Sequence, residues 1–150
     1  MTMPHRPAHT EDVPALRELA RRAYAAYVPR IGREPAPMAA DYAAAVADGH
    51  VWVAEDGDRI AGLLVLIPEA DHLLLENVAV DPDFQGTGVG AELLALAETQ
   101  ARSLGLNAIR LYTNEAMTEN LAYYPRRGYV ETHRAAQDGF NRVFFTKSLS

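Results

Sequence analysis

The sequence contains no cysteine and a single lysine, Lys147. Without cysteine there is no disulfide, no thiolate metal site and no cysteine nucleophile. With one lysine and a formal charge of −6, the clustered cations that grip nucleic-acid phosphates are missing. The nearest basic pairs, Arg21–Arg22 and Arg126–Arg127, read as solvated helix surface. No apolar run approaches the roughly 18–20 residues of a membrane span. The opening residues MTMPHRPAHTED lack the apolar centre of a signal peptide. Neither nucleic acid nor membrane is expected as a partner, and the cytoplasm is the expected location. The histidines (His5, His9, His50, His72 and His133) show no paired spacing of the H-x3-H kind, so no metal site is expected. The serines, Ser103, Ser148 and Ser150, stand outside any nucleophile-elbow context. A covalent intermediate on Ser or Cys therefore lacks a nucleophile.

What is present is a mixed α/β pattern. A chain of 150 residues suits one domain, 1–150, able to fold without disulfide or metal. Residues 3–8 read as a short edge strand. Val13, Leu16, Leu19, Ala20, Ala23 and Tyr27 recur at helical spacing, with Thr10 or Asp12 as N-cap and Pro29 ending the pattern. PRIGREPAP is a loop, and residues 38–48 read as a second helix closed by Gly49. HVWVAED and RIAGLLVLIP form strands around a Gly57-Asp58 turn. DHLLLENVAV is a third strand, whose unbroken apolar character places it centrally in the sheet. Val89, Leu93, Leu96, Ala97 and Leu104 mark a helix ended by Gly105. NAIRLYT is a strand, MTENLAYYPRR a short helix stopped by Gly128, and the rest a hairpin around Asp138-Gly139. The order is β-α-α-β-β-β-α-β-α-β-β, a mainly antiparallel sheet flanked by helices.

Three of the ten glycines, Gly86, Gly88 and Gly90, lie in QGTGVG between the third strand and its helix. A triphosphate-binding loop of the Gly-x4-Gly-Lys type is excluded by the absent lysine. Gly86-x-Gly88-x-x-Ala91 matches a dinucleotide fingerprint only literally. DPDFQ intervenes after the strand, and the next strand, ending Leu111-Tyr112-Thr113, carries no acid for a ribose. There remain a pyrophosphate cradle, Gln85-x-x-Gly88-x-Gly90 at a helix N-terminus, and a plain glycine-rich turn. Free N–H groups and the helix dipole would favour a phosphate there, and glycine permits close approach.

NVAVDPDFQGTGVGAELL resembles the acetyl-CoA-binding motif of the GNAT superfamily of N-acyltransferases. TENLAYYPRRGYVE resembles the family's later segment, in which an Asn, a Tyr and a Gly-aromatic pair recur. The two lie about 30 residues apart, and the element order is similar across nearly the whole chain. Pro125 departs from the pattern and is expected to disturb its helix locally. The resemblance implies acetyl-CoA as cosubstrate and direct acyl transfer to a primary amine of a small molecule or peptide. Such catalysis works by proximity and orientation. It implies that backbone N–H groups of Gln85, Gly86, Thr87, Gly88, Val89, Gly90 and Ala91 hold the pyrophosphate. The strand end Val78, Ala79 and Val80 would pair with the pantetheine arm, with the Val80 N–H also facing the thioester carbonyl. Asn120 would bond the same arm, and Tyr124 would protonate the departing thiolate. A phenol near pKa 10 suits a thiolate whose conjugate acid is near 8.5. Many relatives dimerise, so a homodimer is an expectation of the same kind.

The residues leave some roles open. Of the adjacent Tyr123 and Tyr124, one is expected in the core. Tyr124 shares a helix face with Asn120, four residues before it. Glu76 is an acid inside LLLENVAV, either a general base for the acceptor ammonium or a surface partner of Arg110. Tyr24 and Tyr27 read as core residues, and the loop Arg30–Met38 as a lid beside the acceptor. A non-catalytic acyl-CoA-binding module would keep the glycine loop and make no use of Glu76 or Tyr124.

Overall fold

The computed structural model describes residues 3–149. Met1, Thr2 and Ser150, the outermost positions of the expected 1–150 domain, lie outside the described residues. The strands are β1 (His5–Pro7), β2 (Val51–Asp56), β3 (Arg59–Pro68), β4 (Leu73–Val80), β5 (Ala108–Asn114), β6 (Val130–Gln137) and β7 (Phe140–Ser148). The helices are α1 (Val13–Tyr24), α2 (Val28–Ile31), α3 (Tyr42–Ala47), α4 (Val89–Ser103) and α5 (Thr118–Arg126). The strands form one sheet in the order β1-β2-β3-β4-β5-β7-β6, antiparallel except for β4 beside β5. The continuous apolar run LLLENVAV occupies the middle of that order, as a strand covered on both faces should.

Each face of the sheet carries its own core. On one face Val13, Leu16, Leu19 and Ala20 of α1 and Tyr42 of α3 cover Val53, Leu63, Val65 and Ala79. On the other, Val89, Leu93, Leu94 and Ala97 of α4 and Tyr124 of α5 cover Leu64, Leu75, Leu111, Val143 and Phe145. Asp138 (φ 54°) and Gly139 (φ 80°) give the β6–β7 turn the two left-handed residues that a tight twisted hairpin requires. Gly62 of β3 serves packing instead. A methyl there would stand 2.9 Å from Leu93 Cδ1 and Val89 Cγ1, so its absence lets α4 sit close on the sheet.

Two features of β4 create the site. In its pairing with β3, Leu66 stands opposite Leu75 and Val65 opposite Asn77, so Glu76 is an extra, unpaired residue. Such a bulge bends the strand and re-aims its side chains. Leu75 points into the α4 core, whereas Ala79 joins the α1 core. The parallel ladder to β5 holds only at Leu73–Ile109, Leu74–Arg110 and Leu75–Leu111. Both strands continue beyond it, so they separate just where the bulge begins and leave a gap through the sheet.

The N-terminal helices differ from expectation. Pro29 does not end the first pattern. α1 stops at Tyr24, a 3-10 turn covers Ala25–Tyr27, and Pro29 opens the one-turn α2. Proline suits a first turn, where its missing N–H has no intrahelical partner. Asp12 takes the N-cap position of α1, but its carboxylate bonds the His9 N–H at 2.7 Å and Arg6 rather than the helix. The helix expected over 38–48 shrinks to Tyr42–Ala47, since Ala36–Met38 form a 3-10 turn and Asp41 caps Ala44 N at 3.0 Å. Pro125 is accommodated in the last turn of α5, which closes by Arg127 N to Tyr124 O at 2.9 Å and Gly128 N to Pro125 O at 3.1 Å. The disturbance is confined there, and the stretch from Asn120 to Tyr124 stays helical.

Candidate active site

A cavity of about 720 Å³ fills the gap between β4 and β5. Its wall includes every expected site residue except Thr87. On the α4 side the chain turns through Pro82–Phe84 and Gln85, then passes Gly86 (φ 80°) and Gly88 (φ 93°) in left-handed conformations. The first helical bond of α4 is Glu92 N to Gly88 O, 3.0 Å. The N–H groups of Val89, Gly90 and Ala91 precede it and carry the positive end of the helix dipole. Thr87 is turned away, its N–H and hydroxyl both directed at Phe84 O. Behind the loop, buried Asp81 accepts from Arg22 (2.7 Å) and from Asp83 N (2.9 Å), which fixes the approach to the turn.

The backbone of β4 supplies a second set of donors. Asp81 N bonds Ala61 O at 2.8 Å on β3. By the alternation of an antiparallel ladder, Ala79 then also faces β3, while Val78 and Val80 turn their N–H and C=O toward the gap. Their carbonyls fit this orientation. Val78 O accepts from Tyr24 Oη at 3.1 Å, and Val80 O lies 3.5 Å from Gln85 Nε2.

α5 forms the opposite wall. Asn120 Nδ2 donates to Thr113 Oγ1 at 3.0 Å. Tyr124 is buried, its ring edge-on to Tyr123 and Tyr129. Burial pushes its hydroxyl well above the usual tyrosine range. Tyr123 is half-buried, and its hydroxyl would lie 3.5 Å from a methyl on Gly90. Of the two, Tyr124 is the core residue, although both line the cavity. Arg127, read as solvated surface, also lines it, stacked 4.6 Å over the Tyr123 ring.

Through the gap, on the α1 face, lie Glu76, Asn77, Tyr112 and Arg142. Glu76 is half-buried and has no salt-bridge partner among the described residues, while Arg110, its expected surface partner, approaches Asp71 at 3.8 Å. Tyr24 and Tyr27 both line the cavity, and Tyr24 also packs against the α1-face core. The Tyr24 hydroxyl is shared between Asn77 Oδ1 and Val78 O. Tyr27 bonds Glu119 at 2.9 Å, beside the Arg30–Glu119 pair. Asn77 is buried with both ends of its amide in use. Its Nδ2 donates to Tyr42 Oη (3.0 Å), and that hydroxyl donates to Pro37 O (2.6 Å). The loop segment Pro35–Pro37 is thereby tied to β4 over the cavity. Sequence reasoning missed Asn77, Arg127 and Arg142. A polar residue beside Glu76 in an apolar strand, and an arginine inside FNRVFF, were the available signals.

This architecture is that of N-acetyltransferases of known structure. The PaiA N-acetyltransferase of Thermoplasma acidophilum, solved with coenzyme A, superimposes with a TM-score of 0.80 at 18% identity over 99% of both chains. The ribosomal-protein-S18-alanine N-acetyltransferase of Escherichia coli gives 0.77 at 20% identity, over 98% of this chain and 94% of the other. The sequence matches the acetyltransferase (GNAT) family over residues 13–129, and the chain belongs to that family. Acetyl-CoA is the family's cosubstrate, as the resemblance implied. The peptidyl-lysine N-acetyltransferase YjaB of Salmonella typhimurium is 30% identical over 98 residues, 65% of this chain and 61% of that protein. The chain spans half or less of the length of several other curated relatives. Among the described residues no helix is long and apolar enough to cross a membrane.

Proposed function

We propose that the protein transfers the acetyl group of acetyl-CoA directly to a primary amine of a small molecule or peptide. The observation that carries this reading is the gap between β4 and β5, which joins the glycine loop on one face to Glu76 on the other. Bound acetyl-CoA would supply an activated acetyl thioester, and the chain's own groups do the rest. The N–H groups of Gly86, Gly88, Val89, Gly90 and Ala91 hold the pyrophosphate at the α4 N-terminus, with Arg127 adding positive charge. Val78 and Val80 align the pantetheine arm as an added strand would, and Asn120 Oδ1 accepts from it. The Val80 N–H donates to the thioester carbonyl oxygen.

Three proton movements accompany transfer. Glu76, directly or through a water, takes a proton from the acceptor ammonium, freeing the nitrogen lone pair to form the N–C bond. As the C–S bond breaks, Tyr124 gives its proton to the sulfur, and the acylated nitrogen releases its second proton, through water, to restore the phenol. The raised pKa of Tyr124 keeps the phenol protonated at neutral pH, and the same dry surroundings raise the proton affinity of the thiolate. The reading is tested by following thiol release from acetyl-CoA over a panel of amines, with calorimetry for acetyl-CoA binding. Amine-dependent release is expected. Binding without turnover of any amine would instead favour a non-catalytic acyl-CoA-binding module, and absence of both would end the reading.

A further inference from the structure

Arg142 has no role in the chemistry above, yet it is the most buried charged side chain on the α1 face of the cavity, 9% exposed. It projects from β7, opposite Asn114 of β5, with its guanidinium 4.3 Å over the Tyr112 ring and 5.9 Å from Phe140. Its polar contacts are few. Nη1 donates to Gln137 Oε1 at 3.1 Å, and the nearest carboxylate is that of Asp138, 3.9 Å away and 84% exposed. A guanidinium carries five donors in a planar fork. A cation withdrawn from water without a close anion is unfavourable unless a ligand completes it. Glu76 lines the same cavity as Tyr112 and has no salt-bridge partner among the described residues. Burial raises the Tyr112 hydroxyl, the Arg142 charge draws it back, and the Glu76 and Asp138 charges raise it again. The wall thus offers one unpaired anion and, beside Tyr112, one cation whose sole ion pair is long and solvent-exposed.

We propose that the acceptor is a small amine that also bears an acidic oxyanion, carboxylate or phosphonate, with Arg142 binding the oxyanion and Glu76 facing the ammonium. A planar carboxylate fits the arginine fork in bidentate fashion. The protein's overall negative charge would not by itself draw such a substrate, so recognition rests on Arg142. This rests on the acetyl-transfer reading, but a separate binding measurement can decide it.

The probes are the proteinogenic L-amino acids, their primary amides, the amines left by removing their carboxyl groups, and 1-aminoethylphosphonate. For the best acceptor, kcat/KM is expected to exceed that of its amide by about tenfold or more. Preference for the phosphonate over alanine would assign the oxyanion as phosphonate, and the reverse as carboxylate. Arg142→Met should raise KM for the acid about 10–100-fold, with kcat and the parameters of the uncharged amide changed less than about threefold. Unchanged acetyl-CoA affinity in the same variant shows that the fold survives. Amides or decarboxylated amines equal to or better than the acids in the unaltered protein would overturn the proposal without any variant. If no amine is turned over, the transfer reading fails, and calorimetry of the same amines on the CoA-saturated protein decides this one. Acid-selective binding lost in Arg142→Met upholds it, and equal or absent binding of acid and amide overturns it.

Discussion

Replacing Gly90 by alanine should move folding stability and cofactor affinity in opposite directions. Gly90 is a helical residue of α4 with ordinary negative φ, unlike Gly86 and Gly88. A Cβ built there meets only Tyr123 Oη at 3.5 Å and Val80 Cγ2 at 3.6 Å, which are normal contacts. Nothing in the protein itself therefore opposes the methyl. Removing glycine's backbone freedom from the unfolded chain should stabilise the protein by about 0.4–1 kcal/mol. For a chain of this size that raises Tm by about 1–4 °C. The methyl would nevertheless point between Val80 and Tyr123, into the space assigned to the pyrophosphate and adjoining pantetheine. Forcing an extra methyl into close packing costs roughly 1–3 kcal/mol, which corresponds to an acetyl-CoA affinity lower by about 5–150-fold. Differential scanning calorimetry without ligand and isothermal titration with acetyl-CoA measure the two effects. A variant that is more stable yet binds acetyl-CoA as well as the parent would refute the cradle. A variant that is less stable would refute the packing argument.

Tyr124→Phe should lower kcat about 100-fold or more while leaving the acetyl-CoA dissociation constant within about twofold, read by steady-state kinetics and calorimetry. Because burial raises the Tyr124 pKa, its ionisation should impose no loss of activity below about pH 10 in the unaltered enzyme. Gly62→Ala should destabilise the protein by about 1–3 kcal/mol in urea titration, since Val89 is a stiff β-branched side chain and α4 must lift to admit the methyl. Glu119 is held at about 2, below its ordinary 4.5, by hydrogen bonds first from Arg30 and then from Tyr27. A carboxyl depressed in the folded state contributes fully above its unfolded value and fades as pH falls toward the folded one. Glu119→Gln should therefore cost no more than about 1 kcal/mol near neutrality, because the pair is exposed. The difference from the parent should shrink from pH 4.5 to pH 2, followed by denaturant unfolding across that range.

Much of this fold was legible in the sequence because its signals are local. β3 was bounded correctly at Arg59 and Pro68 by the Gly57-Asp58 turn and the proline. Asp138-Gly139 announced its hairpin, and the glycine loop announced the start of α4. The region from Ala25 to Asp41 was less legible, since Pro29, Pro35 and Pro37 fit first turns of short helices as readily as they fit a loop. The bulge at Glu76 left no trace in the pattern. Leu73, Leu75, Asn77 and Ala79 are all buried at period two, but β4 is covered on both faces. A change of facing layer therefore leaves the apolar run unaltered. The separation of β4 from β5 is a property of tertiary pairing, and so is the convergence of Glu76, Tyr112 and Arg142 from three different strands.

The most direct test of the central claim is a crystal structure of the protein with acetyl-CoA. The account predicts the pyrophosphate on the N–H groups of Gly86, Gly88, Val89, Gly90 and Ala91, the pantetheine arm along Val78 and Val80, and the thioester between the Val80 N–H and the Tyr124 hydroxyl. A pyrophosphate bound elsewhere, or a thioester outside the gap between β4 and β5, would contradict it.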